Sequence, residues 1–153
     1  MESEIVQEVE ALLGRGAVAQ LDFEALEMAL RQGTLRLAAR ALEQRLNADT
    51  SDEVGSRIPC RCGGEAQFAG RRSKQFHSVL GPLRLERAYY HCSSCGHGCC
   101  PRDRHLGIEN TSLSPALTRM TGTVGAMVSF QEGSELLQEL AGVIGRASCR
   151  ERV

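Results

Sequence analysis

Hydrophobic residues recur at helical spacing in the first third of the chain. Over residues 3–13, four of them fall near one face of a helix, namely Ile5, Val9, Leu12 and Leu13. Farther along, Asp22 stands at the N-cap position of a second, longer helix that reaches about Asn47. The pattern therefore predicts an N-terminal helical segment over residues 1–47.

The second helix carries apolar residues in two stripes on roughly opposite sides. One stripe comprises Leu21, Met28, Leu35, Leu42 and Leu46, and the other comprises Phe23, Leu26, Leu30, Leu37 and Ala41. The first helix can cover only one of them. Because the first four positions of the first stripe keep heptad spacing, they predict a homodimer contact. The alternative is burial against another part of the same full-length chain.

Strand periodicity replaces the helical pattern after residues 48–57, which are rich in acids and turn formers and predict a linker. Short stretches rich in aromatic and β-branched residues cover Ala66–Gly70, Gln75–Leu80 and Leu83–His91. Gly81 and Pro82 predict the turn between the last two stretches. We expect a three-stranded antiparallel unit within residues 58–104.

The pattern becomes helical again over residues 111–143. Ser114 is a good N-cap with Pro115 at the first helical position, and Ser129 with Glu132 has the spacing of a capping box for another helix. The predicted buried positions are Leu117, Met120, Val124, Met127 and Val128 in the first helix and Leu136, Leu137 and Leu140 in the second. We predict the start of a helix-turn-helix. The expected fold class is α+β, with N-terminal α-helices, a central antiparallel hairpin unit and a C-terminal helical pair.

Composition predicts a cytoplasmic protein that has no membrane partner. The chain has 42% hydrophobic and 24% charged residues, both ordinary for a globular protein. No apolar run approaches the roughly 20 residues that span a bilayer, and the acidic start lacks the cations of a signal peptide.

The net charge of −1 conceals a strong segregation of charge. Residues 1–56 have a balance of −6, whereas residues 57–104 have a balance of +6. A basic segment predicts a polyanionic partner such as nucleic acid. The alternative is a solvated surface whose charge only maintains solubility. The candidate DNA-binding residues are Arg61, Arg71, Arg72, Lys74, Arg84, Arg87, Arg102 and Arg104.

Six of the seven cysteines fall between residues 60 and 100, which favours metal ligands over disulfides in a reducing compartment. Two short pairs, Cys60 with Cys62 and Cys92 with Cys95, are each followed by glycine, which permits the tight turn of a metal-binding knuckle. Four thiolates suit a structural Zn²⁺ ion, so we predict a zinc ribbon. The first pair is CxC rather than CxxC, so its turn must be tighter than usual.

The cysteine pattern leaves other metal chemistry open. Cys99 or Cys100 replaces a ligand if the CxC pair cannot reach with both sulfurs; otherwise both are partly buried thiols. An iron–sulfur cluster is a third alternative, but it requires further ordered cysteines. No carboxylate pair, activated nucleophile or phosphate loop predicts catalysis, and Asp103, between two arginines, is expected in a local salt bridge or turn.

Long stretches of the chain support a resemblance. They are LDFEALEMALRQGTLRLAARALEQRLNAD, the segment with CGG, VLGPLRLERAYYHC and CSSCGHG, and PRDRHLGIENTSLSP. Over residues 1–143 the sequence resembles the N-terminal portion of bacterial insertion-sequence transposases of the Kra group. The resemblance implies that the four paired cysteines are the family's ribbon cysteines, and that residues 114–143 begin its DNA-binding helical segment. Cys99 corresponds to a position that is more often aromatic in relatives, which favours packing.

The resemblance also implies a catalytic domain of the ribonuclease-H type, dependent on Mg²⁺ or Mn²⁺, downstream of these residues. Instead, residues 144–153 read IGRASCRERV, which looks like translated sequencing adapter and is left out of the fold prediction. We therefore expect a truncated transposase front end that binds insertion-sequence ends but is not itself an enzyme. The alternative is a structural zinc-ribbon module for protein interaction or dimerisation.

Overall fold

The computed structural model describes Gln7, Glu10, Ala11 and residues 22–141. The rest of the first predicted helix and the tail over residues 144–153 lie outside them. The described helices are α1 (Phe23–Ala48), α2 (Pro101–His105), α3 (Pro115–Gly125) and α4 (Phe130–Ala141). The strands are β1 (Arg57–Pro59), β2 (Glu65–Ser78), β3 (Gly81–His91) and β4 (Gly98–Cys99). All strand pairs of the sheet are antiparallel, in the order β1-β2-β3-β4. The predicted α+β class is confirmed.

The central hairpin differs from the prediction in two ways. The first two predicted strands form the single strand β2, because a bulge between Phe68 and Arg71 accommodates Gly70 at a φ of +93° without ending the pairing. The turn also lies two residues earlier than predicted. Val79 and Leu80 form it, and Gly81 and Pro82 already pair with β2.

The sheet changes its buried face along β3. Leu83, Leu85 and Arg87 are buried at alternate positions, and then burial moves to Ala88 and Tyr90, which point to the opposite side. Each side has its own core. The cluster at the hairpin end contains Ala39, Phe76, Leu83, Leu85 and Ile108, and the cluster at the cysteine end contains Ala66, Ala88, Tyr90 and Cys92.

Helix α1 packs along β3 and covers its open edge. Asp22 is the N-cap residue as predicted, although its side chain makes no capping hydrogen bond, and Ala39 is buried against the sheet. Glu43 accepts from the backbone N–H of Arg84 at 2.7 Å, and Asn47 accepts from that of Glu86 at 2.8 Å. These side chains satisfy edge N–H groups that β4 is too short to reach. On the opposite edge, the backbone N–H of β2 residue His77 donates to the Ser112 carbonyl at 2.7 Å.

The C-terminal helices begin where the capping signals predicted. Ser114 Oγ accepts from Leu117 N–H at 3.2 Å, and Ser129 and Glu132 form the reciprocal hydrogen bonds of a capping box. The predicted buried face is only partly buried, because Leu117 is enclosed while Met127 is 79% exposed. No helix in the described ranges combines the length and apolar character needed to cross a bilayer.

Candidate metal centre and adjoining basic cleft

The first cysteine pair lies on the tight turn between β1 and β2. Cys60 N–H donates to the Gly64 carbonyl at 2.8 Å, and Gly63 N–H donates back to the Cys60 carbonyl at 3.1 Å. Gly63 has a φ of +85°, a conformation that non-glycine residues rarely adopt. These constraints allow Cys60 and Cys62 to direct both sulfurs to one point despite the short CxC spacing.

The second pair lies on the turn between β3 and β4. Cys92 closes it with both backbone groups: its N–H donates to the His97 carbonyl at 2.9 Å and its carbonyl accepts from Gly96 N–H at 2.8 Å. Gly96 adopts a φ of +69°. The pairing of β2 with β3 brings this turn beside the first, so the two pairs meet at one end of the sheet.

The four sulfur atoms form a compact group. All lie within 4.8 Å of one another, with 3.6 Å between Cys60 and Cys95 and 3.7 Å between Cys62 and Cys92. Ligands at about 2.3 Å around a tetrahedral Zn²⁺ ion are about 3.8 Å apart, so these separations fit such an ion. The predicted set of four cysteines could therefore hold a metal ion.

The local backbone acts strongly on the ionisation of these thiols. Hydrogen bonds from the backbone N–H groups of Cys95 and then Ser94 lower the pKa of Cys92 from its ordinary 9.0 to about 6. At Cys95, a backbone hydrogen bond from His97 favours the thiolate, but interactions with the other three cysteine side chains outweigh it and raise its pKa to about 12. Neighbouring thiolates repel one another, and a bound cation relieves that repulsion.

Cys99 and Cys100 lie outside the four-sulfur group. Both are half-buried, and Cys99 packs against the core cluster at the cysteine end. Burial raises the pKa of each thiol above its ordinary value. Burial and a raised thiol pKa are typical of packing residues. The sequence predicted this role for Cys99 and Cys100 if Cys60 and Cys62 both reach the metal site.

Four of the eight candidate DNA-binding cations are held by internal carboxylates. Arg87 is buried and forms an ion pair with Asp103, which also lies 3.5 Å from Lys74 Nζ. Asp103 is therefore bound across the fold rather than by its flanking arginines. Arg102 is likewise buried and lies 3.3 Å from Asp52. Because both guanidinium groups bind these internal carboxylates, Arg87 and Arg102 are not accessible for contact with phosphate.

Arg71 and Lys74 are only partly accessible. Arg71 donates to Asp52 at 3.2 Å, and Lys74 donates to the Ile108 carbonyl at 2.5 Å. Their side chains are 26% and 18% exposed. These contacts join β2 to the loop after α1 and to the segment after α2. Arg71 and Lys74 therefore stabilise the fold.

The other four candidates, Arg61, Arg72, Arg84 and Arg104, are exposed. Arg61 and Arg104 share Glu109, at 3.9 Å and 3.6 Å. Arg84 is separate from them and pairs with Glu86 at 3.5 Å. Three of the four thus belong to one region near the cysteines, because Arg72 lines a cleft together with Arg61 and Glu109.

The cleft next to the cysteines was not predicted from the sequence. Its volume is about 280 Å³, and its walls include Arg61, Arg72, Tyr89, His97 and Asp103. The guanidinium carbon of Arg72 lies 3.6 Å from the centroid of the Tyr89 ring. Tyr89 lies two residues after the buried Arg87 in β3. Because side chains alternate between the two faces of a strand, this spacing places both residues on the same side of the sheet, and it is the one sequence signal for the cleft.

The chemistry of the four-sulfur group is that of a closed metal site. Four thiolates around one ion would complete a tetrahedral coordination shell and leave no position for a reactive water molecule. The exposed arginines near the cysteines suit an anionic partner. The chain matches no protein-family model, no curated protein and no solved structure.

Proposed function

We propose that this chain is the DNA-binding front end of an insertion-sequence transposase, in which a zinc ribbon positions arginines on DNA phosphates. The observation that carries the proposal is the group of four cysteine sulfurs within 4.8 Å of one another at the end of a basic hairpin. The resemblance over residues 1–143 supplies the transposase context, and the charge and geometry of the hairpin support contact with DNA.

Zinc is the ion that fits the donor set best. Thiolates are soft ligands, and a closed four-sulfur site from two knuckles is typical of structural Zn²⁺. Backbone hydrogen bonds in the Gly63 and Gly96 turns hold the two knuckles in the geometry that such an ion requires. The proposed role of the ion is to fix the cysteine end of the sheet, on which Arg61 lies between two ligands.

The proposed phosphate surface consists of Arg61, Arg72 and Arg104. Arg61 and Arg104 meet at Glu109, and Arg61 shares the cleft with Arg72. A single carboxylate between two guanidinium groups leaves a net positive charge, and guanidinium groups bind phosphate oxygens in a bidentate manner. Such contacts position a protein on DNA without reading its sequence.

We assign α3 and α4 to the start of a helix-turn-helix that is directed at the ends of the element. The two helices are joined by a short turn, and Gly133 lets them approach closely, since a Cβ there would lie 3.2 Å from Val124. The resemblance implies that DNA cutting and joining belong to a separate ribonuclease-H type domain. We therefore propose that residues 1–143 of this bacterial cytoplasmic protein bind DNA and do not themselves cut or join it.

Fluorescence anisotropy with a labelled duplex tests the proposal. Log-log plots of affinity against salt concentration should have a slope of about −0.9 for each phosphate contacted. Replacing Arg61 and Arg104 together by Gln should weaken binding and reduce the magnitude of the slope by about 2. The matched control is Arg57→Gln, because Arg57 is equally exposed but pairs with Glu65 at 3.1 Å on β1.

A duplex that is not retained at low salt by the zinc-loaded protein would contradict DNA binding. Cleavage or joining of terminal-repeat DNA by the purified chain would contradict the absence of activity. An unchanged salt slope in the double variant would show that the phosphate surface lies elsewhere.

A second candidate function is protein interaction or dimerisation through α1. Phe23 is 72% exposed, and Met28 and Leu42, both in the predicted heptad stripe, are 39% and 37% exposed. Exposed apolar side chains along one helix are typical of a partner surface. An oligomer that depends on concentration, together with no DNA retention, would favour this function over the first.

A further inference from the structure

Tyr89 contacts both an arginine of the proposed phosphate surface and the short strand next to the metal site. The guanidinium carbon of Arg72 lies 3.6 Å from the centroid of its ring. The hydroxyl end of the same ring meets Gly98, where an added Cβ would lie 2.7 Å from the ring carbons Cε2 and Cζ. Tyr89 therefore connects Arg72 to β4.

Arg72 differs from the other exposed arginines of this region in what holds its side chain. Arg61, Arg84 and Arg104 each have a carboxylate partner, whereas Arg72 has none among the described residues. An aromatic face attracts a guanidinium group and restricts its conformations. The Tyr89 ring thus takes the place that a carboxylate has at the other three arginines, and it does so without neutralising the charge.

Gly98 is placed by the second cysteine knuckle. It belongs to the two-residue strand β4, which pairs with the end of β3. The turn before β4 is closed by Cys92, which bonds through its backbone to His97 and Gly96. Because Cys92 and Cys95 are two of the proposed ligands, a metal ion that holds their sulfurs also holds the turn from which β4 starts. Contacts therefore run from the metal site through Gly98 and Tyr89 to Arg72.

The two cores of the fold allow the cysteine end to respond separately to the metal. The cluster at the cysteine end includes Cys92, and Cys60 and Cys99 pack against it. The cluster at the hairpin end, which contains Phe76 and Leu85, includes no cysteine. Since regions of one protein can open independently, loss of the metal should loosen the first cluster and leave the second packed.

We propose that Tyr89 is a positioning residue that holds Arg72 for phosphate contact, and that it does so only while the second knuckle is closed on its metal ion. This inference rests on the DNA-binding function proposed above. Tyr89 acts through Arg72 and does not itself touch DNA. Metal loading then sets the affinity for DNA as well as the stability of the ribbon.

A double-mutant cycle on the full zinc-loaded chain tests the role of Tyr89, with fluorescence anisotropy of a labelled duplex. Tyr89→Leu should weaken binding about twofold to fivefold, the effect of one exposed cation–π contact, and leave the salt slope unchanged because the guanidinium group remains. Tyr89→Phe keeps the aromatic face and should bind like the unaltered protein. Arg72→Gln should reduce the magnitude of the slope by about 1, and adding Tyr89→Leu to it should have no further effect.

The matched control combines Tyr89→Leu with Arg84→Gln. Arg84 pairs with Glu86 and does not line the cleft, so the effects of these two substitutions should add. Zinc content reports whether each variant keeps its metal centre. An effect of Tyr89→Leu that persists in full after Arg72→Gln would overturn the inference, as would an equal loss of affinity in Tyr89→Phe.

NMR of the unaltered protein tests the connection to the metal without any substitution. Side-chain protons of Arg72 that lie over the Tyr89 ring should resonate upfield of their ordinary positions. Removal of zinc by a chelator should return them to those positions, while the methyl signals of Leu83 and Leu85 stay where they are, and added zinc should reverse the change. Arg72 signals that ignore the metal, or a loss of both sets of signals together, would contradict the connection.

The failure of this inference and the failure of the proposed function give different results. Duplex binding that is insensitive to Tyr89→Leu would refute the inference and leave DNA binding intact. A zinc-loaded protein that retains no duplex at low salt would refute both.

Discussion

The carboxylate of Asp52 accepts a hydrogen bond from the backbone N–H of Ala88 at 2.7 Å, although the two residues are 36 positions apart. The same carboxylate lies 3.2 Å from a nitrogen of Arg71 and 3.3 Å from one of Arg102. Only 4% of its side chain is exposed. One acidic residue in the predicted linker thus connects the chain after α1 to β2, β3 and α2.

Asp52→Ala should lower the free energy of unfolding by about 3–5 kcal/mol, because it leaves the buried guanidinium of Arg102 without its buried carboxylate. Chemical denaturation of the zinc-loaded protein measures the change. The control is Glu65→Ala, which removes an exposed ion pair with Arg57 and should cost about 1 kcal/mol or less. Equal effects of the two substitutions would contradict the central role of Asp52.

Cobalt substitution should distinguish the four proposed ligands from the other two cysteines. A tetrahedral Co²⁺ ion bound by four thiolates reports its ligand set through its visible absorption. Cys62→Ser should change that absorption and weaken metal binding, because the sulfur of Cys62 lies 3.7 Å from that of Cys92 within the group.

Cys99→Ser is the matched control for Cys62→Ser. Cys99 lies outside the four-sulfur group, so the cobalt spectrum should be unchanged and about one metal ion per chain should remain bound. A spectrum that responds to Cys99→Ser but not to Cys62→Ser would show that the CxC pair supplies only one ligand.

Gly98 should tolerate no side chain. A Cβ at this position would collide with the hydroxyl and ring carbons of Tyr89. Gly98→Ala should therefore destabilise the fold by about 1–3 kcal/mol, the usual cost of overpacking. Gly122→Ala is the contrasting variant, because no atom lies within 4 Å of its Cβ position, and in α3 it should stabilise by about 0.5–1 kcal/mol. Thermal unfolding should separate the two in sign.

The capping box of α4 should respond to acid. Hydrogen bonds from the Ser129 side chain and then its backbone hold the pKa of Glu132 below its ordinary 4.5. Because the folded-state pKa is lowered, the stabilisation is present above about pH 4.5 and is lost as pH falls through the folded value. Carboxyl NMR titration of the unaltered protein and of Ser129→Ala measures this shift. A titration near 4.5 in both proteins would contradict it.

Local signals in the sequence predicted the features that depend on neighbouring residues. Ser114 and Ser129 start their helices because N-cap hydrogen bonds span only a few positions. The cysteine pairs were predictable for a similar reason, since each sits on its own tight turn and the antiparallel pairing of β2 with β3 brings the two turns together.

Contacts between distant residues could not be predicted in this way. A count of charges treats Arg87 and Arg102 like any exposed arginine, whereas their partners Asp103 and Asp52 lie 16 and 50 positions away. The alternation of residues along β3 also does not predict the change of buried face at Ala88. That change depends on the two separate core clusters that pack against the strand. The cleft next to the cysteines combines both effects, so its residues escaped prediction.

The covered edges of the sheet restrict how copies of this chain can associate. An open strand edge is a template for another strand and hence for aggregation. Here Glu43 and Asn47 occupy the edge of β3, and the Ser112 segment meets β2 at His77. Intermolecular strand addition at these positions would first have to displace side chains of the same chain. Self-association through the exposed apolar side chains of α1, by contrast, would not have to displace any of these contacts.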